Sequence, residues 1–194
     1  IKINVLEKLT RDKISLNLFS LIFPELKNIK IFSKLNESNK DLLKQNDFIF
    51  LLSLLIVDDT DNTDYFLYKF NISKKDKKRI KFIDKFYKDK INLKSFTANN
   101  LNKVFYYSGK EAVLDILNFR LIKSKKIDNS LKELINHYEN ITIPKMPISA
   151  DLLMRKYEIP EGKQLGEKLH LIEKEWVKNN FIISAHQVDN IIKN

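Results

Sequence analysis

Apolar positions recur near a helical period from the first residues of the chain. Val5, Leu9, Ile14, Leu18, Leu21 and Ile22 predict one opening amphipathic helix to about Phe23, where Pro24 stops or bends it. Ile29 to Leu43 predicts a second, more polar helical unit, and Asp47 stands where it can cap an apolar helix over Phe48 to Val57. That apolar run, broken only by Ser53, is about half of the roughly 20 residues that a membrane span needs, so it predicts a buried core helix. Asp58 to Asp64 is polar throughout and predicts a solvated loop that buries nothing.

Further along, Ser73 followed by Asp76 has the form of a capping box, with Ile80, Ile83 and Tyr87 on one face of the next helix. Its opposite face carries Lys74, Lys75, Lys77, Lys78, Arg79 and Lys81, which is either a wet surface or a set of phosphate contacts. Thr97 can cap a helix holding Leu101, Val104 and Phe105; Ser108-Gly109-Lys110-Glu111 opens another leading into Ala112 to Leu121. Lys123-Ser124-Lys125-Lys126 is a basic break before a helix with Leu131, Leu134, Ile135 and Tyr138 on one side. Pro144 and Pro147 each push the preceding residue out of the α region and so predict an extended linker, the one candidate domain boundary.

Composition sharpens this picture. Three glycines and four prolines in 194 residues leave little for tight β-turns, and the expected fold class is all-α. The absence of cysteine removes disulfides, thiolate zinc sites and a Cys nucleophile, and fits a reducing cytoplasm. His137, His170 and His186 stand apart and show no metal-ligand spacing. The chain opens on Ile1 already in helical periodicity, and is expected to be a piece of a longer protein. A net charge of +10 makes nucleic acid the leading class of partner, although Lys used merely as surface coating gives the same number.

Asp59-Thr60-Asp61 has the spacing of a metal-binding carboxylate pair, but it follows a helix with no strand pattern and no nearby glycine, and it lacks the central glycine and distal Glu of a calcium loop. A solvated acidic loop is the expectation there. Phe105, Tyr106 and Tyr107 beside Lys103 and Lys110 are either stacking surfaces for unpaired bases or packing residues; Phe105 is expected in the core with one tyrosine left at the rim, and Trp176 is expected in the core. The sharpest local signal is Ile159-Pro160-Glu161-Gly162-x-x-x-Gly166, because two of the three glycines fall in it. It predicts either a tight helix-helix corner or a turn that offers free N–H groups and Lys163 to a phosphate at the start of the next helix.

From Pro147 to Ser184 the chain resembles the C-terminal region of the bacterial class II tRNA nucleotidyltransferases, the CCA-adding enzymes, and of the related poly(A) polymerases. The residues that carry the resemblance are Pro147, Asp151-Leu152, Pro160-Glu161-Gly162, Leu165-Gly166 and Glu173-x-x-Trp176. Ala150 stands where that family commonly has glycine, and Lys163 where it has the second proline of the turn. Leu9-Thr10-Arg11-Asp12-Lys13-Ile14, with Leu18 following, is similar to the family's neck segment, and Phe23-Pro24-Glu25-Leu26 and Gly109 to Asp115 sit in the expected order. The glycine-serine signature, the Asp-x-Asp on a strand, the Arg-Arg-Asp segment and the Glu-Asp-x-x-Arg template of the catalytic head and neck are not in this sequence.

The resemblance implies an all-α array without the β-containing catalytic head: residues 1–35 as the end of the neck, 36–143 as a helical body and 144–194 as a helical tail. It implies binding of the acceptor and T arms of tRNA. The chemistry, CTP and ATP with Mg²⁺, would then lie in an N-terminal catalytic head of the same polypeptide. On this reading Arg11, Lys13, Lys110, Arg120, Lys123, Lys125, Lys126 and Lys163 are the expected phosphate contacts, and Gly162 and Gly166 shape the turn that approaches the backbone. The setting is cytoplasmic, and the chain by itself is not expected to be catalytic. The alternatives are the RNA-binding region of a bacterial poly(A) polymerase, a helix-hairpin-helix-like module that grips DNA or RNA without sequence preference, or a helical interaction domain whose charge serves only solubility.

Overall fold

The computed structural model describes residues 3–89, 96–124 and 128–193, and every regular element among them is helical, with no strand. The helices are α1 (Ile3–Arg11), α2 (Lys13–Ile22), α3 (Glu37–Gln45), α4 (Phe48–Ile56), α5 (Asn62–Lys69), α6 (Lys74–Lys88), α7 (Ala98–Ser108), α8 (Lys110–Lys123), α9 (Asn129–Asn140), α10 (Ala150–Tyr157), α11 (Lys163–Lys178) and α12 (Ala185–Lys193), with a 3₁₀ segment over Ile29–Lys34. They divide into two compact units, Ile1–Asn92 with Leu114–Glu139, and Leu93–Val113 with Asn140–Asn194.

The first unit is organised around α4. Its run from Phe50 to Val57 is entirely buried, as expected for a helix that is apolar all round and must lie inside the protein. Asp47 starts it as the spacing predicts, its side chain accepting from the Phe50 N–H at 3.0 Å, which satisfies one of the otherwise orphaned amides of the first turn. Ile29 and Phe32 of the 3₁₀ segment, Leu43 of α3, Ile80 and Ile83 of α6, and Phe119 and Ile122 of α8 close around it. Ser73 caps α6 by accepting from the Asp76 N–H at 3.2 Å, the N-cap half of the predicted capping box, while its hydroxyl donates to the Asp76 carboxylate.

The opening segment departs from its predicted course. Instead of one helix to Phe23 there are two, because Asp12 takes an extended conformation and caps α2, accepting from the Ile14 N–H at 3.1 Å. The break shifts the phase of the second half: Leu16 is buried, while Ile14, Leu18, Leu21 and Ile22 face solvent. The predicted helix from Ile29 to Leu43 is likewise divided, by the extended Leu35 and by Asn36, which caps α3 through the Asn39 N–H at 2.8 Å. The acidic stretch after α4 also buries more than predicted, since Asn62 and Thr63 lie inside. Asn62 donates to the carbonyls of Glu25 and Ile56, and Thr63 donates to Asp84, so both of these buried side chains are paired. Arg79, read above with the lysines of a wet helix face, instead turns inward to Asp115 and Asp47.

In the second unit α11 is the central helix, packed against α7, α10 and α12. Leu153, Ile159, Leu165, Ile172 and Val188 form its core, and Trp176 is fully buried at the spacing that predicted it. Residues 141–149, which hold Pro144 and Pro147, are not helical, in agreement with the linker that those prolines predict. No helix among the described residues is long and apolar enough to cross a membrane.

Candidate nucleic-acid interface

A lysine-lined groove of about 980 Å³ opens in the first unit. Its basic side chains are Lys27, Lys30, Lys34, Lys123 and Lys132, and no carboxylate is among its lining residues. The 3₁₀ segment explains two of these. Ile29 and Phe32 are drawn into the core, and Lys30 and Lys34 are left outside. Asn28 fixes the segment by donating its backbone N–H to the Leu55 carbonyl at 3.1 Å and its side-chain amide to the Val57 carbonyl at 2.7 Å.

The Val57 carbonyl also accepts from the Lys123 ammonium, at 3.3 Å. This carbonyl ends α4, where the helix dipole favours a cation, and the same ammonium lies over the rings of Tyr87 and Phe119 at 5.4 and 5.5 Å. Lys123 is therefore half-buried and built into the wall of the groove. Lys27 lies 3.4 Å from Asp58 and donates to Thr60, so its charge is partly compensated. By contrast, Lys30, Lys34 and Lys132 are exposed and have no carboxylate within ion-pair distance among the described residues. Three uncompensated ammonium groups along one concavity create a field that attracts a polyanion, most strongly at low ionic strength.

Of the residues predicted from sequence, only Lys123 among those described lines this groove. Arg11 is exposed at the end of α1 and pairs with Glu7 at 2.8 Å; Lys13 is exposed at the start of α2. Arg120 is half-buried and its charge helps to hold Asp128 below the usual carboxylate range, behind the larger effect of the Ser130 hydroxyl. Lys125 and Lys126 lie outside the described residues. Lys110 and Lys163 belong to the second unit: Lys110 is half-buried, whereas the Lys163 side chain is 91% exposed with Glu167 at 3.7 Å.

The glycine corner is open to solvent. Gly162 has φ 146° and ψ −165°, a conformation essentially confined to glycine, and it delivers the chain into α11 after Pro160. Gly166 lies within α11, and a Cβ added there would meet nothing within 4 Å, so neither a turn nor a close approach accounts for it. Lys27, Lys30, Lys34 and Lys132 were missed by sequence reasoning. The available signal was the spacing of Lys27, Lys30 and Lys34 around the apolar pair Ile29 and Phe32.

The described residues do not assemble a holding site for Mg²⁺. No group of three His, Cys, Asp or Glu side chains comes together among the described residues, and Asp58 beside the Asp59-Thr60-Asp61 loop is engaged by Thr60 and Lys27.

Fold and groove together define an all-helical protein with a basic concavity and no nucleotide-handling strand pair among the described residues. The profile of the tRNA nucleotidyltransferase domain 2 family matches residues 41–184, well over half of the chain, and the chain belongs to that family. No curated protein and no solved structure gives a match.

Proposed function

We propose that this chain is the tRNA-holding helical part of a CCA-adding tRNA nucleotidyltransferase. The observation that carries this reading is the lysine groove of the first unit, with Lys30, Lys34 and Lys132 exposed and no carboxylate in its lining, in a chain whose family is that of tRNA nucleotidyltransferases. Stacked base pairs present phosphates at regular intervals, and lysines positioned without competing carboxylates neutralise them and release counterions. The acceptor and T arms form one continuous helical stem of that kind. Addition of C, C and A from CTP and ATP with Mg²⁺ would belong to a catalytic head of the same polypeptide, and these helices would hold the substrate while its 3′ end is extended.

Titration of the 194-residue chain with tRNA at rising salt tests the proposal. Affinity should fall linearly with the logarithm of salt concentration, and the triple variant K30E/K34E/K132E should weaken binding at least about 10-fold and lower the salt slope by about three. Affinity indifferent to salt, or a triple variant that binds as the parent does, sinks the reading. Competition with duplex DNA of equal length separates a tRNA-holding surface from a general backbone grip, because the latter takes both equally.

A further inference from the structure

The second unit carries a groove of its own, about 890 Å³, between α7, α11 and α12. Lys103 and Tyr107 enter it from successive turns of α7, and Lys174 and Lys178 from successive turns of α11. Lys103 and Lys174 are exposed, with no carboxylate within ion-pair distance among the described residues. The one carboxylate of the lining, Glu175, is already engaged by the Asn179 amide at 2.9 Å and by Lys178 at 3.5 Å.

Tyr107 distinguishes this groove from the one in the first unit. There the aromatic ring of the lining, Tyr87, is covered by the Lys123 ammonium. Here Tyr107 is 52% exposed, yet its ring is braced from behind. Its ring lies 5.0 Å from that of Tyr106 and nearly perpendicular to it. Tyr106 in turn packs edge-on against the buried Trp176 at 5.3 Å, and its hydroxyl donates to Glu173 at 2.9 Å. An aromatic ring held at a groove surface, flanked by uncompensated lysines, offers a stacking face for a base and neutralisation for the phosphates on either side. A base still inside a duplex has both faces covered and cannot use it.

We propose that this groove of the second unit binds an unpaired RNA segment, with one base stacked on Tyr107 and the neighbouring phosphates held by Lys103 and Lys174. This rests on the RNA-holding reading above and adds to it that the second unit selects single-stranded nucleotides, while the groove of the first unit takes paired backbone.

The test uses the whole chain with two probes, a single-stranded RNA octanucleotide and a blunt RNA duplex without a loop, with binding followed through Trp176, the only tryptophan. Y107A should weaken the octanucleotide by about 5-fold to 150-fold, the range for loss of one base–aromatic stack, and leave the duplex affinity unchanged. Y107F should retain the parent affinity. Y107L, which keeps apolar bulk without a π face, should weaken the octanucleotide as Y107A does and guards against a folding artefact. Unchanged octanucleotide binding by Y107A and Y107L overturns the proposal, as does equal loss of both probes. So does an oligo-glutamate peptide that saturates the groove while the octanucleotide goes unbound. A parent chain that binds neither tRNA nor duplex sinks the function proposed above; a parent that binds both, with octanucleotide affinity insensitive to Tyr107, sinks only this inference.

Discussion

Arg79 of α6 grips Asp115 of α8 through two parallel hydrogen bonds, Nε to Oδ2 at 2.6 Å and Nη2 to Oδ1 at 2.9 Å. Its remaining amino group, Nη1, donates to Asp47, the cap of α4. One planar guanidinium thus ties three helices of the first unit, and Asp115 is almost wholly buried at the junction. The same contacts, led by the hydrogen bond to Asp115, push the Arg79 pKa further above its already high ordinary value, so the charge is permanent.

Removing one partner of such a pair leaves the other charge buried and unpaired. Arg79→Met should therefore cost about 3–5 kcal/mol, and Arg79→Lys a smaller but clear amount because an ammonium cannot make the forked contact. Urea denaturation checks both. A midpoint for Arg79→Met equal to that of the parent would mean that the pair is a surface contact of the kind its lysine neighbours suggest.

Those neighbours explain why Arg79 was not legible in the sequence. Lys74-Lys75-Asp76-Lys77-Lys78-Arg79 reads as one uniform basic face, and nothing local marks the single residue whose partners come from residues 47 and 115. The caps at Asp47 and Ser73 were legible for the opposite reason. Each is a bond between groups three residues apart, fixed by short-range geometry. Asn62 and Thr63 look like the rest of an acidic loop until Glu25, Ile56 and Asp84 are brought to them by the fold. The lysine groove falls in the same category: the net charge was visible, but the meeting of Lys27, Lys30 and Lys34 with Lys123 and Lys132 is a tertiary fact.

The two glycines of the corner should respond oppositely to alanine. Gly162→Ala places a Cβ on a residue at φ 146°, and should destabilise by about 1–3 kcal/mol although the surrounding space is empty. Gly166→Ala adds a methyl to a helical position with open space around it, and should stabilise by about 0.5–1 kcal/mol. Thermal melts of the two variants against the parent decide the matter, and a loss at Gly166 would show that something approaches its backbone.

Glu25 gives the fold part of its acid sensitivity. A short hydrogen bond from Lys69 lowers its pKa from the ordinary 4.5, against the opposing effect of burial. A carboxylate with a depressed folded pKa stabilises fully above its unfolded pKa, and that stabilisation is lost as pH falls through the folded value. The parent should therefore lose melting temperature as pH drops below about 4.5, and Glu25→Gln should show a shallower decline over the same range. Lys69 mirrors this at the other end: the bond to Glu25 raises its pKa above 10.5, so its contribution is present below that value and is lost as pH rises through the folded one. Parallel acid melts of parent and Glu25→Gln would remove Glu25 from this account.

The phase break at Asp12 makes a sharper claim about α2. If α1 and α2 were one continuous helix, Ile14 and Leu21 would continue the buried stripe that Ile3 and Leu6 begin; instead they are 74% and 78% exposed and Leu16 takes the inward position. Ile14→Ser and Leu21→Ser should each change stability by less than about 0.5 kcal/mol, as surface substitutions do. Leu16→Ala, which empties a packed site, should cost about 2–5 kcal/mol. Asp12→Ala should cost about 1 kcal/mol by removing the cap that sets the break. Urea midpoints of the four variants read the phase directly, because a continuous helix would reverse the order, with Ile14 and Leu21 costly and Leu16 nearly silent.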